Sequence, residues 1–168
     1  NTDDVNKLRN KLNSFLWGAA DLPNALPRTI TKSFKDDKRF NDLNNLSRID
    51  KYMIVMDFGL TSIAYHFMQK GESNSVVLVH QGHGGDFFKS KHVIEHFLVS
   101  GYDVIAFSMP LLGINNTPTV YLKNFGYREL DSHDYMKFLS VDYSHPLKYF
   151  FEPVIQVLNY LDRHYNYK

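Results

Sequence analysis

The segment His80-Gln-Gly-His-Gly-Gly-Asp86 holds the residues of this chain best placed to do chemistry. Gly82, Gly84 and Gly85 let the backbone turn sharply and leave its N–H groups unshielded by side chains. The segment follows the apolar run Val76–Val79 and precedes an amphipathic stretch. A turn placed between a strand's carboxyl end and a helix N-terminus favours negative charge. Two chemistries use such a turn: phosphate binding in dinucleotide folds, and stabilisation of the oxyanion in acyl transfer. The dinucleotide pattern G-x-G-x-x-G fails. Phe87 occupies its third glycine position, and Ser108 stands where an acidic ribose ligand belongs. The oxyanion reading fits better, with the imidazole of His80 read as a hydrogen-bonded turn anchor rather than a catalyst.

Other clusters compete with it. His92-Val-Ile-Glu-His96 matches H-x-x-E-H, which places two imidazoles at i,i+4 for zinc with Glu95 as base. A third ligand would have to come from Glu129 or Glu152, and the apolar stripe of that helix lies opposite the two His residues. The spacing therefore reads as a solvated face. Asp131, His133, Asp134, Asp142 and His145 read as polar residues and caps of a long loop, with pocket lining or a cation site as the alternatives. Tyr121, Phe125, Tyr127 and Tyr135 read as an apolar lid or a small satellite core, and Trp17 as packed against the domain. Lys32, Lys35, Lys38 and Arg39 read as a solvated surface.

The elements that must position these residues follow from periodicity. Val5, Leu8, Leu12, Phe15 and Leu16 form a helical stripe ended by Gly18. Residues 18 to 48, with Pro23 and Pro27, read as a loop-rich connector. Tyr52–Met56 and Thr61–Met68 read as two strands around the tight turn Asp57-Phe-Gly-Leu60. Val76–Val79 has no polar face, as expected of a strand in a parallel sheet with helices on both sides. A helix with Phe87, Phe88, Val93, Ile94, Phe97 and Leu98 as its stripe follows, with Gly101 at C′, and then the strand Val104–Phe107. Residues 75 to 108 thus form a parallel βαβ unit. Residues 111 to 145 are a long excursion, and 146 to 164 a helix in which Pro153 predicts a kink or a restart.

Composition narrows the function class. The chain has 168 residues, one domain by length, with 19 Lys plus Arg against 18 Asp plus Glu. A net charge of +1 gives no footprint for nucleic acid or an anionic membrane. Cys is absent, which excludes disulfide scaffolds, thiolate zinc and Cys nucleophiles. No apolar run approaches the roughly 18 residues that span a bilayer. No organic cofactor or metal is implied.

Taken in order, the early strand pair, VVLVHQGHGG, the amphipathic helix ending in Gly-Tyr and DVIAFSMPLLG resemble the first half of an α/β-hydrolase. That family often reads His-Gly-x-Gly-Gly and Asp-x-Pro-Gly-x-Gly at these two turns. Here Gln81 separates His80 from Gly82, and Leu111-Leu112 stand where small residues are common. The resemblance covers about residues 48 to 165 and implies an α/β fold with a partial hydrolase sheet, strand order 1-2-4-3, strands 3 and 4 parallel, and flanking helices. With the N-terminal helix read from periodicity, the chain divides into 1–47, helix and connector, and 48–168, the N-terminal part of the hydrolase domain. By the resemblance, main-chain N–H groups of the turn Gly82, His83 and Gly84 supply the oxyanion hole for a small acyl substrate. The family's nucleophile sits in G-x-S-x-G after strand 5, and no such motif occurs here. The expectation is an N-terminal fragment of an ester-cleaving serine hydrolase, without nucleophile, acid or base, partnered by the C-terminal half of its own domain. A zinc peptidase on His92, Glu95 and His96, or a non-catalytic anion-binding α/β module, are the alternatives.

Overall fold

Burial alternates from Asp50 to Val55, where Asp50, Tyr52 and Ile54 are buried and Lys51, Met53 and Val55 half-buried, the pattern of a strand packed more tightly on one face. The computed structural model describes residues 2–19, 21–82, 85–115, 118–140 and 144–168. In chain order the strands are β1 (Thr29–Thr31), β2 (Leu46–Val55), β3 (Thr61–Gln69), β4 (Val76–His80) and β5 (Asp103–Phe107). They form one sheet in the order β1-β2-β3-β5-β4. β4 and β5 pair in parallel, Val76 opposite Asp103 through His80 opposite Phe107, while the other pairs are antiparallel. The predicted order 1-2-4-3 is the β2-β3-β5-β4 part of this sheet. β1, inside the expected connector, adds an outer strand that three residues are too few to announce.

The tight turn between β2 and β3 forms as expected. Phe58 (φ 59°) and Gly59 (φ +75°) both take left-handed angles there, the backbone that two-residue hairpin turns need. Helix α1 spans Thr2–Trp17, α2 Lys91–Val99 and α3 Lys148–His164. A short 3-10 segment, Phe87–Ser90, leads into α2, and Gly101 (φ +88°) follows its end. α2 and the segment around Phe40 and Leu43 cover one face of the sheet, meeting Tyr65, Phe67, Val104 and Ala106. α3 covers the other through Tyr149, Val157, Tyr160 and Leu161, which meet Tyr52, Ile54, Ala64, Ile105 and Phe107. The result is three layers, a partial α/β fold. β5 is buried at every position, whereas β4 is an edge strand whose Leu78 is 39 % exposed.

Three features differ from the pattern. Val5, Leu8, Leu12 and Phe15 of α1 are exposed and only Leu16 is buried, because α1 docks by its C-terminal end. There the His145 N–H donates to Leu16 O, and the Phe15 ring stacks on His145 at 4.5 Å. Trp17 is half-buried, its indole N–H without a partner among the described residues. α3 passes through Pro153 without a restart: proline there removes one ladder bond, and the residue is buried within the helix. The excursion after β5 holds a hairpin of β6 (Thr119–Leu122) and β7 (Gly126–Glu129) and a 3-10 segment, His133–Phe138. Val120, Leu122, Leu130, Met136 and Leu139 join the core beneath α3, while Tyr121, Phe125, Tyr127 and Tyr135 stay exposed.

α3 runs antiparallel to β4 and β5. Lys148 at its start bonds Asp57 beside the β2–β3 turn (2.6 Å), and the tail after its end reaches the opposite end of the sheet. There the buried His66 is fixed in one direction of hydrogen bonding. Tyr167 donates to Asp103 (2.5 Å), so its oxygen accepts from His66 Nε2 (2.9 Å), leaving Nδ1 to accept from Tyr52 (2.8 Å). Burial, helped by the nearby Arg48 charge, pushes the His66 imidazole down to about 3 from its ordinary 6.5. A depressed folded pKa means that the native state binds fewer protons than the unfolded chain between those values. The contribution of neutral His66 is therefore complete above about pH 6.5 and is lost as the pH falls towards 3. Chemical denaturation of wild type and His66→Gln should show the wild-type advantage shrinking by about 2 kcal/mol from pH 7 to pH 5. A pH-independent difference would refute this placement of the proton.

Candidate functional site

The β4 ladder carries straight into the glycine turn. Gln81 N donates to Phe107 O (3.2 Å), extending the pairing with β5 by one residue. Gln81 also accepts a bond from the Ser90 hydroxyl, so its side chain bridges the turn to the start of α2. Gly85 N donates to Gly82 O (3.0 Å) and closes the turn. Gly85 is buried, and a Cβ there would stand 2.0 Å from Gln81 Cγ, so the close approach of the Gln81 side chain requires glycine. Of the predicted oxyanion residues, Gly82 is exposed at the head of this turn, and His83 and Gly84 lie outside the described residues. The His80 ring stacks on Phe107, with centroids 6.2 Å apart, and its Nδ1 lies 3.0 Å from Gln81 O as donor. Partial burial lowers its pKa against the opposing effect of that bond. This is the geometry of an anchor.

A second turn is locked onto the first by Asp86. Its Oδ1 accepts from Phe88 N (3.3 Å), capping the 3-10 segment, and from Ser108 Oγ (3.1 Å) at the end of β5. Its Oδ2 accepts from Ile114 N (3.1 Å). Ser108 Oγ in turn accepts from Phe87 N (3.1 Å). The buried Asn115 completes the clamp: Nδ2 donates to Ser108 O (3.1 Å) and Met109 O (2.9 Å), and Oδ1 accepts from Ile63 N (2.7 Å) on β3. Leu111 (φ 63°) and Gly113 (φ +57°) shape this loop with left-handed backbone. A Cβ on Gly113 would meet Asp86 Oδ2 at 2.0 Å. The sequence reading missed Asp86 and Asn115 as organising residues. An Asp directly after a glycine turn and before two Phe residues was the available signal for a cap.

The hydroxyls near the turn are committed. Ser108 serves Asp86 and Phe87 N, and Ser90 serves Gln81, so neither is paired with a base as a nucleophile must be. Beyond β4 the sheet is open. Lys168 N donates to Asn74 O (2.8 Å), which brings the extended tail after α3 beside the start of that edge.

The remaining candidates scatter. His92 and His96 are exposed, and Glu95 accepts from both Asn44 N (2.9 Å) and Asn44 Nδ2 (2.7 Å), tying α2 to the connector. Glu129 lies on β7 and Glu152 on α3, and no group of three metal-binding side chains occurs among the described residues. Asp131 and Asp134 are exposed, and Asp142 is outside the described residues. His133 reaches Pro110 O (2.5 Å) and packs on the Phe150 ring. Arg39 is exposed, as expected of a solvated face, and from there grips Asp37 with two hydrogen bonds and lies over the Phe88 ring. Burial pushes the Asp37 carboxyl up, but the bonds and charge of Arg39 outweigh it and hold the group below its ordinary value. No described helix is long and apolar enough to cross a membrane.

No protein-family model matches this chain, and no curated protein matches it. Among solved structures, the crystal structure of a candidate acetyl xylan esterase from Bacteroides fragilis superposes with a TM-score of 0.64 at 14 % identity. The match takes in 99 % of this chain and 43 % of that one, so the chain spans less than half the length of the structure it resembles. At that identity the likeness concerns the fold alone: the chain has an esterase-like α/β fold.

Proposed function

We propose that this chain is the N-terminal part of a serine esterase of the α/β-hydrolase type, supplying the oxyanion-hole turn and leaving the nucleophile, acid and base to residues beyond Lys168. The observation that carries the reading is the glycine turn pinned at the carboxyl end of β4, at the open edge of the sheet. In such an enzyme a Ser hydroxyl adds to the acyl carbon while a His takes its proton, and the carbonyl oxygen becomes an anion. Fixed N–H dipoles at the turn stabilise that charge without reorganising, and each donor is worth about 2.7–4 kcal/mol. The exposed edge of β4 supports a further strand beside it, since long apolar edges are normally covered. The tail that reaches Asn74 supports the same position. The esterase likeness favours an acyl ester as substrate, and the smaller share of that chain covered supports the part-length reading.

The test is hydrolysis of p-nitrophenyl acetate. The 168-residue chain should not exceed the protein-free rate. The same chain extended by the residues encoded after Lys168 should turn the ester over. Turnover by the chain itself, abolished by replacing one of its own Ser residues, would contradict the assignment, as would an inert extended protein.

A further inference from the structure

Two cavities share one ring pair, Phe125 at the β6–β7 turn and Phe138 at the end of the 3-10 segment His133–Phe138. Phe125 and Phe138 pack with centroids 5.5 Å apart. One, of about 340 Å³, is also lined by Leu122, Tyr135, Arg128, Glu129 and Asp131. The second, of about 330 Å³, shares Leu122, Phe125 and Phe138 and adds Phe58, Lys123 and Asn124. Both volumes lie at the lower end of small-molecule sites, roughly 300–1,000 Å³. Phe125, Tyr135 and Phe138 are each about half-exposed, although a chain normally buries such rings.

The charged groups are uncommitted. Among the described residues Arg128, Glu129 and Asp131 form no ion pair, and Arg128 makes one hydrogen bond, from Nη1 to Tyr127 O (2.8 Å). This alternation of bare rings with free charged donors and acceptors defines the ligand. A lipid chain would strip water from three charged groups and return no hydrogen bond. An anion would face two carboxylates. A pyranose fits both requirements. Its C–H face lies on aromatic rings, its hydroxyls donate to Glu129 and Asp131, and its oxygens accept from Arg128 and Lys123, all as charge-assisted bonds. Because the two cavities share one ring pair, a ligand of two or more linked units spans both.

We propose that the Phe125–Phe138 platform, with its two cavities, is a binding site for a linear oligosaccharide with flat, equatorially substituted pyranose units. The inference stands on the hairpin and the residues packed beside it and does not require the acyl-transfer reading. It is tested by NMR titration of the ¹⁵N-labelled chain with cellotriose, glucose and tetramethylammonium. Cellotriose should shift amides of residues 122–131 and 135–138 with millimolar affinity, several-fold tighter than glucose. Phe125→Ala should weaken it about five- to ten-fold, and Asp131→Asn by a smaller factor, with unchanged spectra for β2, β3 and β5. These side chains are exposed, so the variants keep the core intact. No shift at about 20 mM cellotriose, equal affinity in Phe125→Ala, or saturation by tetramethylammonium in place of the sugar would overturn the proposal. The last result would make the rings a cation cage.

Discussion

Asp86→Ala should lower the stability of this chain by about 3 kcal/mol, or roughly 10 °C in Tm. The carboxylate joins the 3-10 segment before α2, the end of β5 and the loop beyond it. Its removal leaves Phe88 N, Ser108 Oγ and Ile114 N each short of an acceptor, and leaving such groups unpaired costs more than the bonds themselves contribute. Asp86→Asn keeps one acceptor oxygen and should fall between the two. Gly113→Ala should be damaging by itself, because its new Cβ lies 2.0 Å from Asp86 Oδ2 and its backbone sits at φ +57°. The two effects are coupled through that contact. In the Asp86→Ala background the contacts with Oδ2 and Cγ are gone and only the 2.8 Å approach to the Cβ of residue 86 is left, beside a backbone strain of about 1 kcal/mol. Urea denaturation of the four proteins should therefore give a combined loss clearly smaller than the sum. Strict additivity would mean that Asp86 does not occupy the space beside Gly113.

How far the sequence reveals this architecture depends on the range of each interaction. The β4–α2–β5 unit was legible because two all-apolar runs, one helical stripe and Gly101 lie within 35 residues and obey one handedness rule. The β2–β3 turn was legible because Asp57-Phe-Gly-Leu60 separates two β-branched and aromatic runs. β1 escaped notice because Thr29–Thr31 is held by pairing with β2 rather than by any pattern of its own. The β6–β7 hairpin escaped because Tyr121 and Tyr127 point outward, which erases the polar side of the alternation. α1 misled in the opposite sense: a helical stripe shows that a face is apolar and not what covers it.

The candidate site divides in the same way. The glycine turn stands out by composition, and its position at the end of β4 followed from the strand reading. The Asp86–Ser108–Asn115 clamp did not, because its partners lie 22 and 28 residues from Asp86 and 52 residues apart between Asn115 and Ile63. The buried Tyr52–His66–Tyr167–Asp103 chain joins residues up to 101 apart and has no local signature. The oxyanion role itself came from family resemblance together with the turn's position, and kinetics are its test.

The second large effect concerns that role. If the backbone of the turn stabilises the oxyanion, side-chain identity at His83 is secondary while backbone freedom at Gly84 is essential. A main-chain donor survives replacement of its own side chain; a general base does not. The most direct measurement is kcat for p-nitrophenyl acetate in the proposed enzyme, this chain extended past Lys168, comparing His83→Ala with Gly84→Val. Thermal melting first establishes that both variants remain folded. The account predicts that His83→Ala lowers kcat by less than about ten-fold and Gly84→Val by about 10²–10³-fold. Loss of nearly all activity in His83→Ala, with activity kept in Gly84→Val, would make the imidazole the reacting group and contradict the oxyanion assignment.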